Sequence, residues 1–262
     1  MTPRRLLKVL LCPLLPCVQL FVAAPSTAAT VNVAVATNFI KPMQAIAKQF
    51  GQTSGHKTQV SFGSSGKLYA QIRNGAPFEV FLSADQSTPA ALEQQGLAVP
   101  GSRFTYAVGT LVLWSANPHR IQNNGDILRR NDFNKLAIAN PKLAPYGRAA
   151  MEVLHRLRAD GKIEEEQITT KIVQGQNIAQ AYQFVSSANA EIGFIARSQI
   201  AENGAIPQGS SWVIPKDLYS PIKQDAVLLN SGKNNLAAKM LLEFIRSDEA
   251  KTIIESFGYS DD

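Results

Sequence analysis

Apolar residues come in short runs along this chain, and four of the runs lead through a polar or small-residue turn into apolar positions at helical spacing. VNVAVA (31–36) passes through Thr37-Asn38 into 39–50, where Ile40, Met43, Ile46, Ala47 and Phe50 share one stripe before Gly51. VSFG (60–63) passes through Ser64-Ser65-Gly66 into 67–74, with Leu68, Tyr69 and Ile72 on one side and Gly75 at the end. LAIAN (136–140) leads to Ala144-Pro145-Tyr146-Gly147 and a helix to 157; KIVQG (171–175) leads through Gln176-Asn177-Ile178 into a helix to 188. Residues 78–82 and 191–196 read as buried strands, and Ser87 starts a short helix with Pro89 in its first turn. Amphipathic helices over 236–245 and 249–257 end the pattern.

Strand and helix alternating this regularly predict an α/β fold, with mostly parallel sheets flanked by helices. Two stretches, 104–114 and 221–229, are long for one ordinary strand. They read as strands crossing between two lobes, with Gly109 giving the first one freedom to bend. The expected organisation is a discontinuous lobe one, 30–108 and 217–262, with lobe two, 109–216, inserted.

Residues 1–29 stand apart. Arg4, Arg5 and Lys8 precede an apolar stretch that is interrupted by Pro13 and Pro16, and small residues follow up to Ala28-Ala29. A basic start, a run too short to span a bilayer and an A-x-A-like end describe a secretory signal peptide, and so an exported protein. Both cysteines, Cys12 and Cys17, lie inside it, which leaves the mature chain without disulfide or thiolate chemistry. Of the formal charge of +6, the leader supplies three, and the rest is spread thinly. No basic run points to nucleic acid. His56, His119 and His155 are scattered without carboxylates at ligand spacing and are expected at the surface, so no metal site or cofactor is predicted. Trp114 and Trp212 are expected to pack near the lobe junction.

The four turns carry the candidate chemistry. A helix start leaves about four N–H groups without intrahelical partners and carries roughly half a positive charge. Each turn alone is explained by capping, with Thr37, Asn38, Ser64 or Ser65 as the cap. Tyr146 is unusual, because a large ring at a helix start wants a partner for its hydroxyl. Ile178 could contribute only its N–H. Together, at the carboxyl ends of successive strands, where open α/β sheets bind ligands, the turns form a socket for a small oxyanion. Such a guest, fully deprotonated, needs donors only. Phosphate keeps a proton and needs an acceptor, and none of the turns holds Asp or Glu, so discrimination against phosphate is predicted. Lys67 and Arg148, two residues past proposed donors, are expected to face solvent.

VAVATN, SFGSSGKLYAQIRNGAPFEVFLSAD, PGSRFTYAVGTLVLWSANP, ANPKLAPYGRAAMEVL and AEIGFIA together resemble the periplasmic molybdate-binding proteins of bacterial ABC transporters. The resemblance implies a two-lobed type II periplasmic binding fold that closes on molybdate or tungstate, a membrane ABC permease as partner, and a monomer. It matches Thr37, Asn38, Ser65 and the Ile178 amide to the family's ligand positions, with Ser64 and Asn177 as less certain neighbours. One branch uses the tyrosine of APYG, here Tyr146; another places a tyrosine where this chain has Ala196. Two rivals stand beside it. Sulfate or thiosulfate receptors also bind proton-free anions. Ser64-Ser65-Gly66-Lys67 satisfies S-x-x-K, the nucleophile motif of penicillin-recognising serine enzymes, though neither S-D-N nor K-T-G occurs.

Overall fold

A computed structural model describes residues 28–122 and 124–260. The predicted leader therefore lies outside the described residues except for Ala28 and Ala29. In the first half of the chain, β1 (Thr30–Ala36), β2 (Lys57–Gly63), β3 (Val80–Leu82) and β4 (Phe104–Gly109) alternate with α1 (Ile40–Ser54), α2 (Ser65–Arg73) and α3 (Ser87–Gln94). Next come β5 (Leu111–Ser115), α4 (Asp126–Arg130), β6 (Leu136–Ala139), α5 (Pro145–Ala159), α6 (Glu165–Thr169), β7 (Ile172–Gly175), α7 (Ile178–Ser186), β8 (Ile192–Ala196) and β9 (Ser210–Val213). β10 (Ile222–Leu228), α8 (Leu236–Arg246) and α9 (Asp248–Ser256) follow.

The strands form two five-stranded sheets with the same plan, β2-β1-β3-β10-β4 and β7-β6-β8-β5-β9. In each, three neighbouring strands are parallel, and one strand (β10 or β5) runs against both its partners. Both sheets are mixed, with four of the five strands sharing a direction. Helices cover both faces, because the strands are buried on both sides and read as near-continuous apolar runs. Val31, Val33 and Val35 face a core filled by α1, α8 and α9, while Ala34 and Phe81 face Leu68, Ile72 and Leu92. The second sheet has its own core around Leu111, Ile138, Val153 and Phe194.

The first crossing matches the expectation: the chain leaves β4 at Gly109 and enters β5 at Leu111. The return differs. β10 lies wholly in the first sheet, and the crossing back is made by residues 214–221, between β9 and β10. Pro215 and Pro221, near its two ends, each lack an N–H and so cannot donate a ladder hydrogen bond. β9 was not expected; it is a four-residue edge strand, and such short strands leave little periodicity to read.

Candidate functional site

Strand register decides which turns meet. The β1–β2 ladder ends with Ala36 opposite Gly63, and β3 pairs Leu82 with Val35. The turns at Thr37, Ser64 and Ser83 therefore leave one sheet edge side by side. In the second sheet the β6–β7 ladder ends with Ala139 opposite Gly175, so the starts of α5 and α7 leave together as well. The two edges face one another. The Gly66 N–H donates to the Leu143 carbonyl at 3.0 Å, and α7 packs against the 37–39 turn. All four expected turns thus converge.

The capping explanation does not hold for three of them. No side chain caps the helix starts at 37–40, at Ser64-Ser65 or at Ala144-Pro145. Only Asn177 acts as a cap, accepting from the Gln180 N–H at 3.0 Å. Tyr146 is held in place by Gly147: a methyl group there would overlap the Ala139 carbonyl, so α5 can start directly on the end of β6 only with glycine.

Thr37, Asn38, Ser65, Tyr146 and Ile178 are all buried. Ser65 Oγ accepts from the Ala84 N–H at 3.0 Å, which ties α2 to the turn after β3. Asn38 Nδ2 donates to Gln224 Oε1 at 2.7 Å and to the Tyr259 hydroxyl at 2.9 Å. Gln224 Nε2 in turn donates to the Tyr146 hydroxyl at 3.3 Å. The Asn38 carbonyl accepts from Ser198 Oγ at 2.7 Å, and Tyr106 OH lies 3.1 Å from Gln224 Oε1. The Ile178 carbonyl accepts from Gln199 Nε2 at 3.0 Å. One polar web therefore links residues carried by the first sheet (Asn38, Tyr106, Gln224) to residues carried by the second (Tyr146, Ser198).

The web is uncharged. Burial pushes the Tyr106 and Tyr146 hydroxyls well above the ordinary tyrosine range, and Tyr259 up to about 12. All three are neutral donors at physiological pH. No Lys or Arg is buried among the described residues. Lys67 is exposed, as expected, while Ser64 is buried. Arg148 is exposed as well, and it also reaches across the seam to Asp85, with Nη2 2.9 Å from Oδ2. That pair borders a cavity of about 190 Å³ whose walls include Pro145, Glu152, Ile222 and Lys223. The field at the cleft thus comes from aligned amides and hydroxyls, an arrangement suited to an anion without protons.

Sequence reasoning missed Gln224, Tyr259, Ser198 and Tyr106. A signal existed for Gln224, since Gln224-Asp225 interrupts the apolar run of β10. The register shifts between these two residues, and both are fully buried. The extra residue is Tyr106 on β4, and β10 is covered on both faces, so two neighbours that alternate along it are both buried. Asp225 is held by Arg103 at 2.6 Å and by Thr105 Oγ1 at 2.7 Å. Two lesser expectations are corrected. His56 is buried, its Nδ1 accepting from the Ala29 N–H at 3.2 Å. Trp212 covers Gly125 inside the second lobe and not at the junction, whereas Trp114, stacked on Tyr182, borders a cavity that Lys41 of the first lobe also lines.

Two α/β lobes closing over a buried polar seam define a solute-binding protein. Residues 31–260 match the bacterial extracellular solute-binding protein family, and the chain belongs to it. It is 52% identical over 237 residues to the molybdate-binding protein ModA of Azotobacter vinelandii, covering 90% of this chain and 92% of that protein. It is 49% identical to the ModA of Rhodobacter capsulatus, covering 90% of each. The solved Azotobacter vinelandii periplasmic molybdate-binding protein superposes with a TM-score of 0.83 at 40% identity, covering 88% of this chain and 99% of that one. The chain is a binding protein and not a serine hydrolase.

Proposed function

We propose that this chain is an extracytoplasmic receptor that holds molybdate, and also tungstate, between its two lobes and delivers it to an ABC permease in the membrane. Thr37, Asn38 and Ser65 supply donors from lobe one (30–108 and 217–262). Tyr146 and the Ile178 amide supply them from lobe two (109–216). The leader 1–29 directs the chain to the periplasm, where it acts as a monomer. The observation that carries the reading is the meeting of uncapped helix starts and neutral buried hydroxyls from both lobes, with no cation among them. Each hydrogen bond to a charged guest contributes about 1.5–3 kcal/mol, so six or seven offset a large dehydration cost. A guest that touches both lobes favours the closed form by its differential affinity for it. The names of the relatives, which bind molybdate, support this choice of anion over sulfate.

The test is a melting-temperature panel with molybdate, tungstate, sulfate and phosphate. Ligand at a thousandfold over the dissociation constant adds about 4 kcal/mol of stability, which raises the melting temperature by about 8 °C or more. Molybdate and tungstate should give that shift, and phosphate none. A shift with sulfate alone identifies a sulfate receptor and rejects this reading.

A further inference from the structure

Gln224 is fully buried at the centre of the polar web, and its two amide ends face different partners. Its Oε1 accepts from Asn38 Nδ2 at 2.7 Å and faces the Tyr106 hydroxyl at 3.1 Å, while its Nε2 donates to the Tyr146 hydroxyl at 3.3 Å. Asn38 has only two amide hydrogens; one goes to Gln224 and the other to Tyr259. What remains on Asn38 for a guest is its backbone N–H. The Tyr146 hydroxyl has one hydrogen and, because it accepts from Gln224, does not donate that hydrogen to it. That leaves the hydrogen for another acceptor.

We propose that Gln224 is the positioning residue that sets the direction of the protons in the cleft, donating to Tyr146 so that the tyrosine hydrogen is kept for an anion that carries none. The inference rests on the oxyanion-receptor reading and adds to it the reason the site stays all-donor. A carboxylate at position 224 would reverse the pattern. Asn38, Tyr106 and Tyr146 would all donate to it, the Tyr146 hydrogen would be withdrawn, and a negative charge would stand beside the guest.

The titratable groups around position 224 are Tyr106 from β4, Tyr146 from α5 and Tyr259 from the C-terminal segment, with Asp225 next to it on β10. Asp85 and Glu152 line the cavity beside Ile222 and Lys223. Asp225 is paired with Arg103 and Asp85 with Arg148. The three tyrosines, raised by burial, stay neutral between pH 6.5 and 9, so a pH effect in that window that wild type lacks reports an introduced carboxyl.

The experiment is calorimetric titration of the mature chain with sodium molybdate from pH 6.5 to 9, using wild type, Gln224→Glu and Gln224→Met. The wild-type dissociation constant should stay flat with pH. Gln224→Met, similar in size but without polar ends, should bind about tenfold more weakly at every pH, the loss of one charge-assisted contact's worth of order. Gln224→Glu should weaken by about tenfold per pH unit once its carboxyl ionises, and recover toward pH 6.5, as linkage to one proton requires. A flat profile for Gln224→Glu, or wild-type affinity in Gln224→Met, overturns the inference while the receptor reading stands. Should Gln224→Glu lack a cooperative melt, Gln224→Met alone decides. Absence of molybdate binding by wild type rejects the receptor reading and this inference together.

Discussion

Gly109 makes room for Tyr146. A methyl group on Gly109 would overlap the tyrosine hydroxyl and lie 2.7 Å from Gln224 Nε2. Gly109 is not among the glycines with positive φ, so the backbone there does not demand glycine. Its absent side chain is needed at the point where the chain passes from the first sheet to the second. Gly109→Ala should therefore push the Tyr146 ring out of the seam. Molybdate affinity is expected to fall tenfold or more by calorimetry, with a melting temperature lowered by a few degrees. An affinity equal to wild type would show that the ring position does not matter.

Tyr146→Phe removes one neutral donor and leaves the ring packing in place. The loss of a hydrogen bond to a charged guest corresponds to about 10- to 150-fold in affinity. Ser65→Ala should act in the same direction while also releasing the Ala84 N–H from its acceptor. Both variants are expected to melt cooperatively without ligand. Unchanged affinity in both would remove these two residues from the site.

Arg148 and Asp85 form an ion pair across the seam, with side chains 45% and 14% exposed. Such a pair contributes about 0.2–1 kcal/mol and is screened by salt. Arg148→Gln should weaken ligand binding by no more than about fivefold and flatten its dependence on ionic strength. Titrations at low and high salt measure this. A loss much larger than that would place Arg148 on the anion itself.

Alkaline stability follows from the buried tyrosines. Their folded pKa values lie above the unfolded value near 10, with Tyr259 at about 12. A group with a raised folded pKa contributes stability that is present below the unfolded pKa and lost as pH rises toward the folded one. Stability should be level with respect to these groups up to about pH 9. Above pH 10 each of the three should subtract about 1.4 kcal/mol per pH unit. Urea melts between pH 8 and 11 test the slope, and Tyr259→Phe should reduce it.

Sequence and structure divide along the distance between interacting residues. Periodicity and turn chemistry placed the four helix starts, because both are written within a dozen consecutive residues. The identity of the ligand-facing candidates followed from that placement. The exclusion of thiol chemistry needed only residue types, whereas the S-x-x-K reading was set aside by the likeness to binding proteins. Helical spacing alone placed Lys67 and Arg148 at the surface, whereas the pairing of Arg148 with Asp85 was not legible, since the two lie 63 residues apart.

The sequence by itself determined an α/β chain whose four predicted strand-to-helix turns carry neutral donors and no carboxylate. It could do so because strand pattern, helix start and side-chain chemistry are local properties. Only the tertiary structure decided which groups share the cleft. Gln224 and Tyr259 stand 186 and 221 residues from Asn38, and they reach it through sheet register, a bulge in β4 opposite Gln224 and the docking of the C-terminal helices. Contacts at that separation depend on packing of the whole chain, and no short window of residues encodes them.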